Sequence, residues 1–314
     1  MFAIPDGIIK VNDYLFVKDR KTNPILHVFD ASNRGFLQSF GKQGKGPGEF
    51  LVVSGMNFRE DQQKLWLHDG TLKRIQALDL NQMDTYLSQG EIELNEMKQL
   101  NVDAIVDMPR WLTDSTLVGM NLYGDGKQLV YFHKDGQLLK KSGTLPPLVP
   151  PVPDRLINSI YSGNVSVNPS RDRVVVASVF ADLLNVYDQT GQQVLSMRGP
   201  EGFSPELELV KVAGMDGLIT AIGEKTRVGY QDVFVSDRYI YLLYSGRKYD
   251  RDYPLAMATG DIIYILSLTG QPVMKLKLDH RLRFFTVDER QGMIYGIGEI
   301  DDLYDVVTYT FKPF

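Results

Sequence analysis

FDASNRGFLQSFGKQGKGPGEF, residues 29–50, joins two kinds of turn through one strand. Its first half, 29–40, reads as an apolar strand, a polar turn ending in Gly35, and a second strand. Its second half, 39–50, holds four glycines, one proline and two lysines in twelve residues. A phosphate-binding loop needs G-x-x-x-x-G-K-[S/T] between a strand and a helix. Here GKQGKG, Gly41 to Gly46, runs into Pro47, and Phe50-Leu51-Val52-Val53 follows where a helix would start. The dinucleotide spacing G-x-G-x-x-G fails as well, since Gly44, Gly46 and Gly48 alternate. A weaker echo, LSMRGPEGF at 195–203, stands after the equivalent strand of a later segment. Recurrence favours a shared corner of a repeated architecture over a single ligand loop.

The strand–turn–strand phrase recurs as VYFHKDGQLLK (130–140), NVYDQTGQQVLSM (185–197) and YILSLTGQPVMKL (264–276), with turn glycines Gly136, Gly191 and Gly270. Glycine accepts the positive φ that tight hairpins demand. One copy, RIQALDLNQMDTYL (74–87), has lost its turn glycine. Ahead of each hairpin lie an aromatic- or aliphatic-rich strand, such as YLFVKD or YIYLLYS, and a further strand ending in Asn or Asp. One unit is therefore four strands over about 50 residues. Four-stranded units repeated radially make a β-propeller. The units are expected at 7–50, 51–101, 102–146, 155–204, 227–279 and 280–314, as one all-β, six-bladed domain spanning 1–314. The last unit is short, so residues 1–5 are expected to supply its outer strand and close the ring. LPPLVPPVP, 145–153, reads as an extended inter-blade link. Helix signals are confined to 87–100 and 205–212.

Composition narrows function by exclusion. The chain has 314 residues, a net charge of −5, and no cysteine. Without cysteine there are no disulfides, thiolate metal sites or cysteine nucleophiles. The mild negative charge gives no basic face for nucleic acid. No apolar run approaches the ~20 residues of a membrane span. The opening MFAIPDG lacks the pattern of a signal peptide.

The 29–50 stretch, followed by KLWLHDGTLKRIQALDL at 64–80, resembles the repeats of TolB-like and NHL-like six-bladed propellers, as found in uncharacterised Bacteroidetes proteins. In those repeats a blade ends in "fG..G.GpGeF" and the next carries "l.v.D....ri..fd". The match is close over 29–80 and degenerate elsewhere. The resemblance implies the propeller fold, a binding-type role, and a periplasmic or cell-surface location with any export signal lying outside these residues. It implies no particular activity, because such propellers host receptors, scaffolds, lyases and lactonases alike.

Tests for chemistry return little. His27, His68, His133 and His280 are isolated, with no H-x-H or H-x-x-x-H spacing. GEIDDLYD, 298–305, is oxygen-rich but lacks the Asp-x-Asp-x-Asp-Gly order of a calcium loop. No G-x-S-x-G elbow occurs. The strand-end residues Asp13, Asp107, Asp237 and Asp288 read as turn formers.

Surface recognition remains. The longest loop, 245–260, carries Arg247, Tyr249, Arg251 and Tyr253, and the insertion 199–227 ends in Arg227. Arg and Tyr are enriched in binding hot spots. Arg110, Trp111, Tyr161, Tyr230 and Arg281 stand near the ends of expected inner strands. The leading expectation is a non-catalytic module binding a protein, peptide or glycan at the loop-rich mouth of the channel, with no cofactor. The alternative is a lactonase-type hydrolase or lyase holding a divalent cation such as calcium.

Overall fold

In a computed structural model, residues 2–89, 96–100, 106–122, 124–148, 151–211, 218–250, 252, 258–300 and 303–312 are described. Their strands form four-stranded antiparallel sheets in which each strand pairs with the next in sequence. The first sheet runs Pro5–Val11, Tyr14–Asp19, Leu26–Asp30 and Phe36–Phe40. The second runs Val53–Arg59, Lys64–Asp69, Arg74–Asp79 and Glu96–Gln99. The third runs Val106–Trp111, Thr116–Asn121, Lys127–His133 and Leu138–Thr144. The fourth runs Gly163–Val167, Arg173–Ser178, Leu183–Asp188 and Gln193–Arg198. Glu208–Lys211 and Leu218–Ala221 form a separate two-stranded sheet, and six further strands run in sequence order through the 17-residue strand Pro272–Asp288. Tyr230–Val235, Tyr239–Tyr244 and Gly260–Ser267 precede it in the chain, and Met293–Ile300 and Leu303–Thr310 follow it. These up-and-down sheets are propeller blades, the all-β class read from the repeat.

The chain divides into two units. One holds residues 1–101, 134–136 and 280–314, and the other 102–133 and 137–279.

Strand composition explains the stacking within each unit. The second strand of a blade is buried almost end to end, as in YLFVKD and YIYLLY. Such continuous burial means that both faces are covered. Side chains alternate across a strand, so neighbouring residues serve different neighbours. In the first unit, Phe16 packs with Met56, Leu65 and Leu67 of the second sheet. Leu15 and Val17 pack with Tyr295, Ile297 and Val306 of the last strands. In the second unit, Val174 and Val176 face Val118 and Tyr131, while Val175 faces Val233 and Leu242. Outermost strands alternate exposed and half-buried, as in QVLSMR.

Several expectations change. Residues 3–5 do not extend the last blade. Pro5 pairs with Asp19, Arg20 N donates to the Ile4 carbonyl at 3.2 Å, and Ala3 and Ile4 N donate to the Asp19 carboxylate at 2.7 and 3.0 Å. A buried carboxylate with orphan N–H groups beside it outbids a distant edge. Phe2 then stacks against His27 and Phe29. The first and last sheets meet instead by side-chain packing and by the Lys10–Asp288 ion pair at 2.6 Å.

The helix signal at 87–100 resolves into a helix at Met83–Gln89 and a strand at Glu96–Gln99, with 90–95 outside the described residues. The helix takes over where the hairpin glycine is missing. The signal at 205–212 is a strand, Glu208–Lys211, paired with Leu218–Ala221. The helix Asp154–Ile160 was not anticipated. Its signal was present in PDRLINSI: a proline ahead of an acidic first turn, then Leu156 and Ile160 at helical spacing. Both residues pack with Leu145 and, less deeply, Leu148 and Val152 of the proline-rich link. Gly136, Gly191 and Gly270 adopt positive φ, whereas in the first hairpin Arg34, not Gly35, takes that conformation.

Candidate functional site

The glycine-rich corner 41–50 closes on itself through Gly44 N to the Phe50 carbonyl (3.1 Å) and Phe50 N to the Lys42 carbonyl (3.0 Å). Gly46 N donates to Glu49 Oε2 at 2.7 Å. The carbonyls of Lys45, Gly46 and Glu49 all accept from the Arg74 guanidinium, which is 5% exposed. Gln76 adds a bond to the Glu49 carbonyl (3.1 Å) and accepts from Gly48 N (3.0 Å). A loop that turns its carbonyls inward onto a cation cannot cradle a phosphate, which requires converging N–H groups.

Two buried carboxylates anchor the entries to the first two blades. Asp19 accepts from Ala3, Ile4 and Lys21 N, and Asp69 from Leu51, Val52, Thr71 and Leu72 N. Both close a second strand, and their signal was the Asp ending YLFVKD and KLWLHD.

The echo at 195–203 builds a second corner, in the other unit. Asp182 Oδ2 accepts from Glu201 N (2.8 Å) and Gly202 N (2.7 Å), and its Oδ1 accepts from the Tyr230 hydroxyl (2.8 Å). Glu201 in turn accepts from the Tyr244 hydroxyl (2.9 Å) and from Arg227, which also donates to the Gly246 carbonyl (2.9 Å). The Arg227 guanidinium lies 4.6 Å from the Phe203 ring centroid. Three segments, 199–203, 226–230 and 244–246, are thereby fastened together. The Arg227 hydrogen bond holds the Glu201 carboxyl below its ordinary value, against a smaller opposing effect of burial. Burial first, and the Asp182 carboxylate second, push the Tyr230 and Tyr244 hydroxyls up.

Of the residues nominated from sequence, Arg227 and Tyr230 belong to this network. Arg247 and Tyr249 adjoin it: Arg247 pairs with Asp261 at 2.8 Å, and Tyr249 N donates to the Thr226 carbonyl at 2.8 Å. Arg251 and Tyr253 lie outside the described residues. Trp111, Tyr161 and Tyr230 are buried, the last two within apolar clusters. Arg110 is half-buried on an inner strand, and its guanidinium pKa is lowered by desolvation, with Asp232 and Asp107 opposing. Arg281 is exposed, in the first unit, on the strand Pro272–Asp288.

Sequence reasoning missed a backbone feature. In five blades the inner strand carries a register shift: in four it follows the first pair and leaves one extra residue, Asp6, Ser54, Gln231 or Arg283, and in the third blade it falls between Asp107 and Arg110. Such bulges bend a strand and re-aim a side chain. They carry no sequence signature beyond the strand itself.

Two of the histidines are held locally. His27 Nε2 lies 2.9 Å from Thr22 Oγ1 and its Nδ1 2.7 Å from Ser39 Oγ, and burial lowers its pKa. His68 Nδ1 lies 2.7 Å from Ser54 Oγ. Among the described residues, no group of three or more His, Asp or Glu side chains is placed to hold a metal ion. The 298–305 segment is a hairpin closing at Ile300 opposite Leu303, with Asp301 and Asp302 outside the described residues. Among the described residues, no helix is long and apolar enough to cross a membrane.

Residues 1–290 match the family model of the TolB-like 6-blade propeller-like proteins, and the chain belongs to that family. Two solved structures share the fold. A predicted exported protein of Bacteroides fragilis NCTC 9343 is 12% identical, with a TM-score of 0.53 over 96% of this chain and 80% of that one. A member of the DUF4221 family from Bacteroides vulgatus ATCC 8482 is 10% identical, with a TM-score of 0.52 over 99% and 94%. No curated protein matches the sequence.

Proposed function

We propose that the chain is a non-catalytic binding module of the periplasm or cell surface, recognising a protein, peptide or glycan through the loops of its second unit. The observation that carries this reading is the fastening of 199–203, 226–230 and 244–246 around Asp182 and Glu201. Loops held in one arrangement lose little conformational entropy when a ligand arrives. Loops on a rigid scaffold are where binding function concentrates. Beside this locked core, Lys248 and Asp250 are exposed and Tyr249 is half-buried, which leaves charge and an aromatic ring at the surface. The arginines at this end are the frame of the site: Arg227 and Arg247 are both engaged in ion pairs.

The test is a screen of the folded chain against peptide and glycan arrays. Saturable binders are expected, and Lys248→Ala/Tyr249→Ala should weaken them about tenfold without lowering the melting temperature. Absence of any saturable binder, or turnover of a lactone or ester panel, would overturn the reading.

A further inference from the structure

The four bulges that follow the first pair of an inner strand do not treat their extra side chain alike. In the first blade Asp6 is opposed by Lys18 and pairs with it at 3.0 Å. In the second, Ser54 is opposed by His68 and bonds it at 2.7 Å. In these two blades the bulge residue is satisfied across its own ladder, whereas Gln231 stands beside the apolar Leu243. In the last blade the bulge residue is Arg283, and the neighbouring residue of the partner strand is Ile297, which offers no polar group. Arg283 is 9% exposed, and its Nε is enclosed without a hydrogen-bond partner. Among the described residues the guanidinium makes no ion pair. It lies over the Tyr304 ring, 5.1 Å from the centroid.

An enclosed N–H without an acceptor costs stability. Arg110, by contrast, has Asp107 and Asp232 acting on it. The Tyr304 ring stabilises the cation from one face and helps fix its plane. It supplies no acceptor for the five N–H donors of the fork. Among the described residues no acceptor meets this guanidinium, which leaves its donors to a partner from outside the chain.

We propose that Arg283 is an anion-recognition residue and that its ligand is a carboxylate. A planar guanidinium matches a planar carboxylate through two parallel bonds. One buried guanidinium balances one negative charge, which suits a carboxylate better than a phosphate dianion. The carboxylate can belong to an acidic peptide or to a uronic sugar. This site lies in the first unit and does not depend on the loop surface proposed above.

The test compares thermal melts of the intact chain in acetate and in chloride at equal ionic strength, with glucuronate, N-acetylglutamate and inorganic phosphate as further probes. Acetate is expected to raise the melting temperature saturably. Arg283→Met should weaken that response at least tenfold, while melting in chloride at or above the wild-type temperature, because it keeps the packing and removes the unpaired charge. The stronger of glucuronate and N-acetylglutamate identifies the source of the carboxylate. Lys248→Ala/Tyr249→Ala should leave the acetate response unchanged. Any one of four results would overturn the proposal: no acetate-specific shift, a shift that survives Arg283→Met, a larger shift with phosphate, or an Arg283→Met chain that melts several degrees lower or fails to fold. The last would mark a structural arginine.

Discussion

Arg74 Nη2 stands 2.9 Å from the Gly46 carbonyl oxygen, and Nη1 stands 2.9 Å from that of Lys45. The glycine-rich corner therefore already has its cation, supplied by the third strand of the next blade. The pattern that ends one blade in glycines and carries an arginine in the third strand of the next becomes a single physical unit here, a loop and its clamp.

Arg74→Ala should destabilise the chain by about 3–5 kcal/mol, because several carbonyls lose charge-assisted donors in a buried site. Arg74→Lys should recover only part of this, since an ammonium cannot reproduce the planar fork. Urea unfolding measures both. A loss under about 1 kcal/mol for the alanine variant would mean that the corner holds its shape without the clamp.

The Tyr230–Asp182 bond predicts an alkaline limit. In the folded state the Tyr230 and Tyr244 hydroxyls are pushed up by burial first and by Asp182 second. In the unfolded chain they ionise at about pH 10. Above that pH the unfolded state holds fewer protons than the folded one, so stability falls as pH rises. Below it their contribution is fully present. Tyrosinate absorbance should rise in step with loss of structure for these residues, and Tyr230→Phe/Tyr244→Phe should shift unfolding to higher pH. Early, non-cooperative ionisation of both would contradict the enclosure.

Lys10 and Asp288 join the first and last blades of one unit at 2.6 Å, both largely buried. Burial alone would raise the Asp288 carboxyl, but the Lys10 hydrogen bond and the Gln291 N–H outweigh it and hold it low. Its contribution is therefore present above the ordinary carboxyl value and lost as pH falls through the lowered one. Asp288→Asn should cost about 1–3 kcal/mol at neutral pH and flatten the acid limb. A double-mutant cycle with Lys10→Met should show coupling above about 0.5 kcal/mol. Strict additivity would show that the apolar contacts around Tyr295 and Ile297 close this seam unaided.

Much of the fold could be read locally. Strands such as YLFVKD and LLNVYD declare themselves by β-branched and aromatic content between Asp and Gly turns, and their four-strand rhythm defines the blades. The helix Asp154–Ile160 was also legible, but it was masked by the prolines before it. The candidate site was less accessible. Arg227 and Tyr230 were picked out for their chemistry as free recognition residues, and the structure engages both internally. Asp182 and Glu201 escaped notice because their partners lie far along the chain: Glu201 meets Tyr244, and Asp182 meets Tyr230.

By itself the sequence determined the all-β class, the blade repeat and the corners at 41–50 and 199–203, because side-chain alternation and turn chemistry act over a few residues. Tertiary structure alone decided where residues 3–5 pair, which arginines are clamped, and which bulge side chain meets no acceptor among the described residues. Those outcomes depend on what a neighbouring strand presents opposite: Lys18 and His68 satisfy Asp6 and Ser54, while Ile297 leaves Arg283 unmet.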